Sequence, residues 1–290
     1  MTSVQIAETV EELQSYLGKV RADNLTIGFV PTMGFLHEGH ASLINASTQQ
    51  SDITVVSIYV NPLQFNLNED FDVYPRDVSS DLALCKDHGV NIVFMPSEDE
   101  MRPFLSEKPL NLGEIVNIYE GESRPTHFQG VATVVKALFE IVEGNYAFFG
   151  EKDFQQLMIV KQLVEDHSLS IQVVGCPTVR ENDGLAKSSR NVYLNQNERE
   201  QSVIIYQSLM AGSEAISKGE TSIQNIERLI REVIETSPLA NIDYVGIVDP
   251  LTFETPDNIK NEVRLLVACN FGQTRLIDNF SAKREVVSNQ

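Results

Sequence analysis

The sequence predicts an α/β protein: a parallel sheet with helices on both faces, followed by a smaller C-terminal α+β domain. Up to about residue 178, short apolar runs alternate with stretches of helical apolar spacing, the reading expected of parallel strands joined by crossover helices. The polar and chargeable residues that stand out in this half follow the ends of the apolar runs, where open parallel sheets bind ligands. Past about residue 178 come two helical stretches and then three short strand-like runs, the order of an antiparallel α+β unit. The expected domains are residues 1–178 and 179–290.

Val10, Leu13, Leu17 and Val20 give residues 8–22 a helical apolar face. The first strand, 25–30, leads through a Gly-containing turn into a helix beginning near Ala41. A second strand, 53–60, is stopped by Asn61-Pro62, because proline lacks an amide donor and pushes its predecessor out of the helical region. A polar loop follows, then a helix over 79–88 closed by Gly89, and a third strand over 91–96. Residues 97–126, rich in Glu, Pro and Ser, keep no period; a substrate loop or lid and a solvated linker both fit. Val131, Val134, Val135, Leu138, Phe139 and Val142 mark a helix face, followed by a strand over 147–149, a helix over 154–167 and a strand over 171–174. Beyond 178, helices are expected over 197–218 and 221–235. Strands are expected over 242–248, 264–268 and 274–278, the last two separated by a 269–273 loop containing Gly272.

A chain of 290 residues, 42% hydrophobic and 22% charged, has the composition of a globular protein with a large core. Its formal charge of −19 argues against nucleic-acid and membrane-surface partners, which need basic patches. No run approaches the roughly 18 apolar residues of a membrane span. Residues 1–8 lack the basic and apolar regions of a secretory signal. Cys85, Cys176 and Cys269 are odd in number, far apart and without a Cys-x-x-Cys pair, which fits buried thiols in a reducing compartment. The expectation is a cytoplasmic protein.

The central motif is Met33-Gly34-Phe35-Leu36-His37-Glu38-Gly39-His40, between the first strand and its helix. A helix entrance of this kind turns amides and a positive dipole end toward an anion. His37 and His40, three apart, share a helix face, and Gly39 leaves room for close approach to the backbone. The tetrapeptide alone reads equally as a polyphosphate cradle or as an ordinary helix entrance with a hydrogen-bonded histidine. A zinc site is disfavoured because no third ligand stands at a recognised spacing. Gly150-Glu151-Lys152-Asp153 forms a second strand-to-helix junction, with Lys152 suited to a phosphate and Asp153 to a ribose hydroxyl. Lys187-Ser188-Ser189-Arg190 combines small hydroxyl donors with a guanidinium fork. Gln64 and Gln156 offer amides that suit a small hydroxy acid without neutralising its charge. Taken singly, the two charged segments also read as a plain helix start and a polar loop.

Together these segments resemble the pantothenate synthetase (pantoate–β-alanine ligase) family. The matching stretches are Pro31-Thr32-Met33-Gly34 with His37-Glu38-Gly39-His40, Val60-Asn61-Pro62-Leu63-Gln64-Phe65 and Tyr74-Pro75-Arg76. Arg124-Pro125-Thr126-His127-Phe128, residues 149–156, Val179-Arg180 and Asp183-Gly184-Leu185 follow, then Ser188-Ser189-Arg190-Asn191 and Arg275-Leu276-Ile277-Asp278-Asn279. The colinear match spans about residues 25–280; His-x-Gly-His alone marks only the wider nucleotidyltransferase superfamily.

The resemblance implies a Rossmann-like ATP- and pantoate-binding domain, a smaller C-terminal lid domain, and a cytoplasmic homodimer in the coenzyme A pathway. It implies a ligase that uses ATP as co-substrate with Mg²⁺, forming pantoyl adenylate and pyrophosphate, then pantothenate and AMP with β-alanine. By position, Met33, Gly34, His37, Gly39 and His40 match ATP-binding residues. So do Gly150, Glu151, Lys152, Asp153, Val179, Lys187, Ser188, Ser189 and Arg190. His40 matches the catalytic proton donor, and Gln64 and Gln156 match the pantoate ligands, Gln64 also lying near β-alanine. Asp81 is the candidate Mg²⁺ ligand, although family members often have an acid where Ser80 stands. Lys187 replaces a residue that is usually apolar in the family.

Overall fold

The computed structural model describes residues 4–66 and 71–284. Part of the polar loop expected after Gln64 and the start of the 1–8 segment lie outside the described residues. The chain divides into two compact units, one running to Glu151 and including Gln155–Thr178, the other formed by Lys152–Phe154 and residues from Val179 onward.

In the first unit, short runs of Val, Ile and Phe become strands, the inner ones buried on both faces as expected of a parallel sheet covered by helices. They are β1 (Gln5–Ala7), β2 (Ile27–Thr32), β3 (Ile53–Ile58), β4 (Ile92–Phe94), β5 (Tyr146–Gly150) and β6 (Gln172–Cys176). All pair in parallel, in the order β1-β4-β3-β2-β5-β6. The order reverses at β2, which lies between β3 and β5 with Gly28 opposite Tyr146 and Phe29 opposite Ala147. In open parallel sheets the usual ligand position is beyond the carboxyl ends of the strands at such a reversal, here β2 and β5.

The helices of this unit are α1 (Val10–Ala22), α2 (Glu38–Gln50), α3 (Val78–Asp87), α4 (Glu98–Met101), α5 (Glu120–Ser123), α6 (His127–Val142) and α7 (Phe154–Asp166). Thr9 and Glu12 cap α1 reciprocally. Nearly every residue of α6 is buried, so it is a core helix rather than an amphipathic surface one. Gly130 allows this: a Cβ there would stand 2.0 Å from the Leu63 carbonyl oxygen.

Several elements depart from the sequence expectation. β1 is a three-residue edge strand beside β4, too short to show a period. Residues 97–126 are not a solvated linker: they fold into α4, α5 and 3₁₀ turns, and Met101, Leu110, Leu112 and Glu120 are buried. Gln129 of α6 fixes Leu110 by accepting from its N–H and donating to its carbonyl, at 3.1 and 2.7 Å. The helix expected over 197–218 is two, α8 (Gln196–Ser202) and α9 (Ile204–Ser217), parted at Val203.

In the second unit α8, α9 and α10 (Ile223–Ile234) accompany an antiparallel sheet of β7 (Ala240–Val248), β8 (Glu262–Phe271) and β9 (Thr274–Lys283). α10 buries Ile223, Ile226, Ile230 and Ile234 along one stripe, each contributing about 1.5–3 kcal/mol. β8 and β9 are longer than the sequence suggested. Cys269 is a buried strand residue rather than part of a loop, and the turn is only Gly272-Gln273, with Gly272 at φ +58°.

Candidate active site

The turn leaving β2 is built by side chains that capture its amides. Thr32 Oγ1 donates to the Ser57 carbonyl at 2.7 Å and accepts from Gly34 N–H at 3.1 Å. Gly34 (φ +82°) and Phe35 (φ +50°) are both left-handed, a strained combination at the non-glycine residue. Asp81 of α3 holds them there: its two carboxylate oxygens accept from Phe35 N–H at 2.9 Å and Leu36 N–H at 2.6 Å. Burial pushes the Asp81 carboxyl above its ordinary range, against the pull of those two amides.

The histidines extend the same device. His37 caps α2, its Nδ1 accepting from Gly39 N–H at 3.1 Å, while His40 Nδ1 accepts from His37 N–H at 3.2 Å. Backbone N–H groups can only donate, so in each neutral ring the proton sits on Nε2. The ring centroids are 4.2 Å apart. Gly39 also makes room for the His37 ring: a Cβ there would lie 2.8 Å from it. The amides of Phe35, Leu36, His37 and Gly39 are engaged by side chains, which withdraws these four from the expected main-chain cradle. The proton-bearing Nε2 of each imidazole is a further donor of this turn.

Met33 and Gln64 meet, with Gln64 Nε2 donating to Met33 Sδ at 3.0 Å. Asn61, missed as a site residue by the sequence reading, orients that glutamine. Its Nδ2 donates to Gln64 Oε1 at 3.1 Å and to the Gly130 carbonyl at 3.0 Å, while its Oδ1 accepts from Leu63 N–H. The main chain at Gln64 is fixed too: its carbonyl lies 2.9 Å from His127 Nδ1 and accepts from Arg124 Nη2 at 3.3 Å, and Arg124 pairs with buried Glu120. Gln156 lies half-buried on α7. Its neighbour Gln155 is a scaffold residue, donating to the Ile115 and Ile118 carbonyls and accepting from Glu120 N–H.

Asp81, the candidate metal ligand, is 2% exposed. Among the described residues no group of three or more His, Cys, Asp or Glu side chains could hold a metal ion.

Gly150 ends β5 and Glu151 opens a 3₁₀ turn, both in the first unit, and Lys152, Asp153 and the candidates from Val179 onward belong to the second. Lys152 Nζ lies 3.6 Å from Asp153, and Lys152 and Ser188 line one small cavity with Ala186, Asn191 and Asp278. Val179 acts through its backbone, its carbonyl accepting from Lys187 N–H at 2.9 Å across a hairpin bridged at Arg180 and Ala186. Gly184 (φ +98°) turns that hairpin against the Tyr206 ring, where a Cβ would collide. Lys187 pairs with Glu181 at 3.1 Å. Ser188 caps the 3₁₀ turn Ser189–Tyr193, its Oγ accepting from Arg190 N–H at 3.3 Å, and Ser189 is buried. The Arg199 guanidinium beside Asp183 holds that carboxyl below its usual range.

Comparison with known proteins identifies the family. The family model for Pantoate-beta-alanine ligase matches residues 5–281. The pantothenate synthetase of Acetivibrio thermocellus is 48% identical over 276 residues, covering 95% of this chain and 98% of the relative. A crystal structure of pantothenate synthetase from Thermus thermophilus superposes with a TM-score of 0.90 at 41% identity, over 96% of this chain and 99% of that one. The pantoate-beta-alanine ligase of Francisella tularensis, solved in complex with Beta-gamma ATP and Beta-alanine, gives a TM-score of 0.79 at 34% identity, over 96% and 97%.

Proposed function

The chain belongs to the pantoate-beta-alanine ligase family and is a ligase joining pantoate to β-alanine; we propose that it does so in two steps on an ATP-derived adenylate. In the first, a pantoate carboxylate oxygen attacks the α-phosphorus of ATP and pyrophosphate leaves. In the second, the β-alanine amine attacks the acyl carbonyl, AMP leaves and the amine's proton is lost.

Charge gathers on the α-phosphate and on the departing pyrophosphate, so donors fixed before the reaction lower its barrier. The imidazole pair carries this reading. Tied to the backbone through Nδ1, His37 and His40 carry their protons on Nε2, and these groups are assigned to phosphate oxygens, with His40 as proton donor. Met33, Gly34 and Gly39 shape that turn, and Gly150 and Glu151 lead into the second. Lys152, Asp153, Val179, Lys187, Ser188, Ser189 and Arg190 complete the ATP set: cations answer phosphates, hydroxyls adapt to them, and Asp153 takes a ribose hydroxyl. Gln64 and Gln156 hold pantoate, and Gln64 also serves β-alanine. An uncharged amide oriented by Asn61 suits a hydroxy acid whose carboxylate must remain a nucleophile.

Mg²⁺ belongs to the same proposal. Asp81 does not fit as its ligand, being buried with both oxygens given to backbone amides. The ion is assigned to the triphosphate it arrives with, since Mg²⁺ keeps several waters and takes substrate phosphates. A homodimer in the cytoplasm completes the reading; sedimentation of the pure protein tests the dimer.

The deciding experiment incubates the protein with ATP, Mg²⁺ and pantoate, with and without β-alanine. Pantoate-dependent exchange of labelled pyrophosphate into ATP, and AMP release requiring both acids, is the expected result; AMP release indifferent to pantoate overturns it. His40→Ala is expected to slow exchange on the order of 10²–10³-fold, about 3–4 kcal/mol, with pantoate binding little changed.

A further inference from the structure

Lys152 is carried by three residues, Lys152–Phe154, that group with the second unit although their chain neighbours belong to the first. This segment is anchored at two points. Asn279 of β9, 4% exposed, donates from Nδ2 to the Lys152 carbonyl at 2.8 Å. The Phe154 ring has the Arg264 guanidinium over it at 4.1 Å and stacks on Phe253 at 6.2 Å.

Asn279 is itself fixed. Its N–H donates to Asp278 Oδ1 at 2.7 Å, and its carbonyl accepts from Arg180 Nη2 at 3.2 Å. Arg180 makes a two-pronged pair with Asp278 at 2.5 and 3.0 Å, and its guanidinium lies 4.4 Å from the Tyr206 ring centroid. A continuous set of bonds therefore runs from Tyr206 through Arg180 and Asp278 to Asn279, ending on the main chain of Lys152. It gives a purpose to Arg180, Asp278 and Asn279, which the sequence singles out and the ligand assignments leave unused.

We infer that Asn279 is a positioning residue for adenylate formation: its amide fixes the Lys152 backbone, and so the point from which the lysine ammonium reaches the triphosphate. The inference rests on the assignment of Lys152 to ATP. Position matters at this scale, because a misplacement of about 1 Å can cost on the order of 10²-fold in rate. Lys152 acts on phosphates that depart with pyrophosphate, so the second step does not need it.

The test measures the two half-reactions separately. Asn279→Ala is expected to lower pantoate-dependent ATP–pyrophosphate exchange about 10–100-fold, while aminolysis of supplied pantoyl adenylate by β-alanine stays within about twofold. Asn279→Asp, which sets an oxygen against the Lys152 carbonyl, should fall at least as far. In a cycle with Lys152→Met, the double variant should be no slower than Lys152→Met alone, because both act through one group. Wild-type exchange in Asn279→Ala, independent multiplication of the two losses, or equal loss of both half-reactions overturns the inference. Should Asn279→Ala not fold, Phe154→Leu loosens the same segment from its other anchor and must show the same split. Absence of exchange in the wild-type protein would instead overturn the functional reading.

Discussion

The two units hold their candidate phosphate-facing groups by contrasting means. In the first, His37, His40 and the strained Phe35 are fixed by main-chain amides donating to side-chain nitrogen and oxygen. In the second the candidate segments are laced by ion pairs: Arg180 with Asp278, Lys187 with Glu181 and Lys152 with Asp153. On the proposed assignment, the difference follows from what each side would offer a nucleotide. Neutral imidazoles need only orientation, which hydrogen bonds supply. Cations gathered without a ligand repel one another, and nearby carboxylates offset that until phosphate oxygens take their place.

The largest expected effect is on the ionic side. Arg180→Ala leaves Asp278, 5% exposed, without its guanidinium, and breaking a buried pair from one end costs about 3–5 kcal/mol. Burial already pushes the Asp278 carboxyl upward, and Arg180 is what opposes it. Hydrogen exchange of β8 and β9 amides should show that loss, with β2 and β3 amides unchanged. A loss under about 1 kcal/mol would place the pair among ornamental surface contacts and end the contrast.

How much of this was readable beforehand follows the same division. Strands β2 to β6 were legible because buried parallel strands leave continuous apolar runs, and α10 because its isoleucines keep helical spacing. β1 was not, being three residues whose partner β4 lies far along the chain. His37, His40 and Lys152 announced themselves by residue type at strand ends. The residues that hold them did not: Asp81 stands 45 positions from Leu36 and Asn279 stands 127 from Lys152. No local pattern reports a bond of that span. The second service of Gly39 was hidden for a related reason, since only the folded turn shows that its missing Cβ makes room for the His37 ring.

A smaller effect is expected on the neutral side. Asp81→Asn keeps the shape but turns an amide NH₂ toward one of two donors, leaving a buried N–H unpaired at a cost of about 1–3 kcal/mol. The KM for ATP should rise and exchange of the Phe35 and Leu36 amides should quicken, while the Mg²⁺ concentration for half-maximal activity stays put. A shift in that Mg²⁺ midpoint would return Asp81 to the metal. The sign with pH is also fixed. Burial raises the folded-state pKa of Asp81, so its protonation contributes stability that is greatest below the unfolded pKa and is lost as pH rises through the folded one. The stability of wild type relative to Asp81→Asn should therefore increase on acidification through that window.

The smallest expected effect is the absence of one, and it asks whether the two units open separately. Burial pushes the thiols of Cys85 and Cys269 up to about 12 and that of Cys176 to about 11. At about pH 8 a thiol near 12 is ionised to only ~1 part in 10⁴, and all three are enclosed, so a disulfide reagent should find none of them in the native protein. Labelling then requires local opening. Cys85 and Cys176 report the first unit and Cys269, on β8, the second. With Arg180→Ala, Cys269 should label faster while Cys85 and Cys176 keep the wild-type rate. Equal acceleration at all three would mean that the ion pair stabilises the whole chain, and the contrast between a hydrogen-bonded and an ionic unit would be one of chemistry without energetic independence.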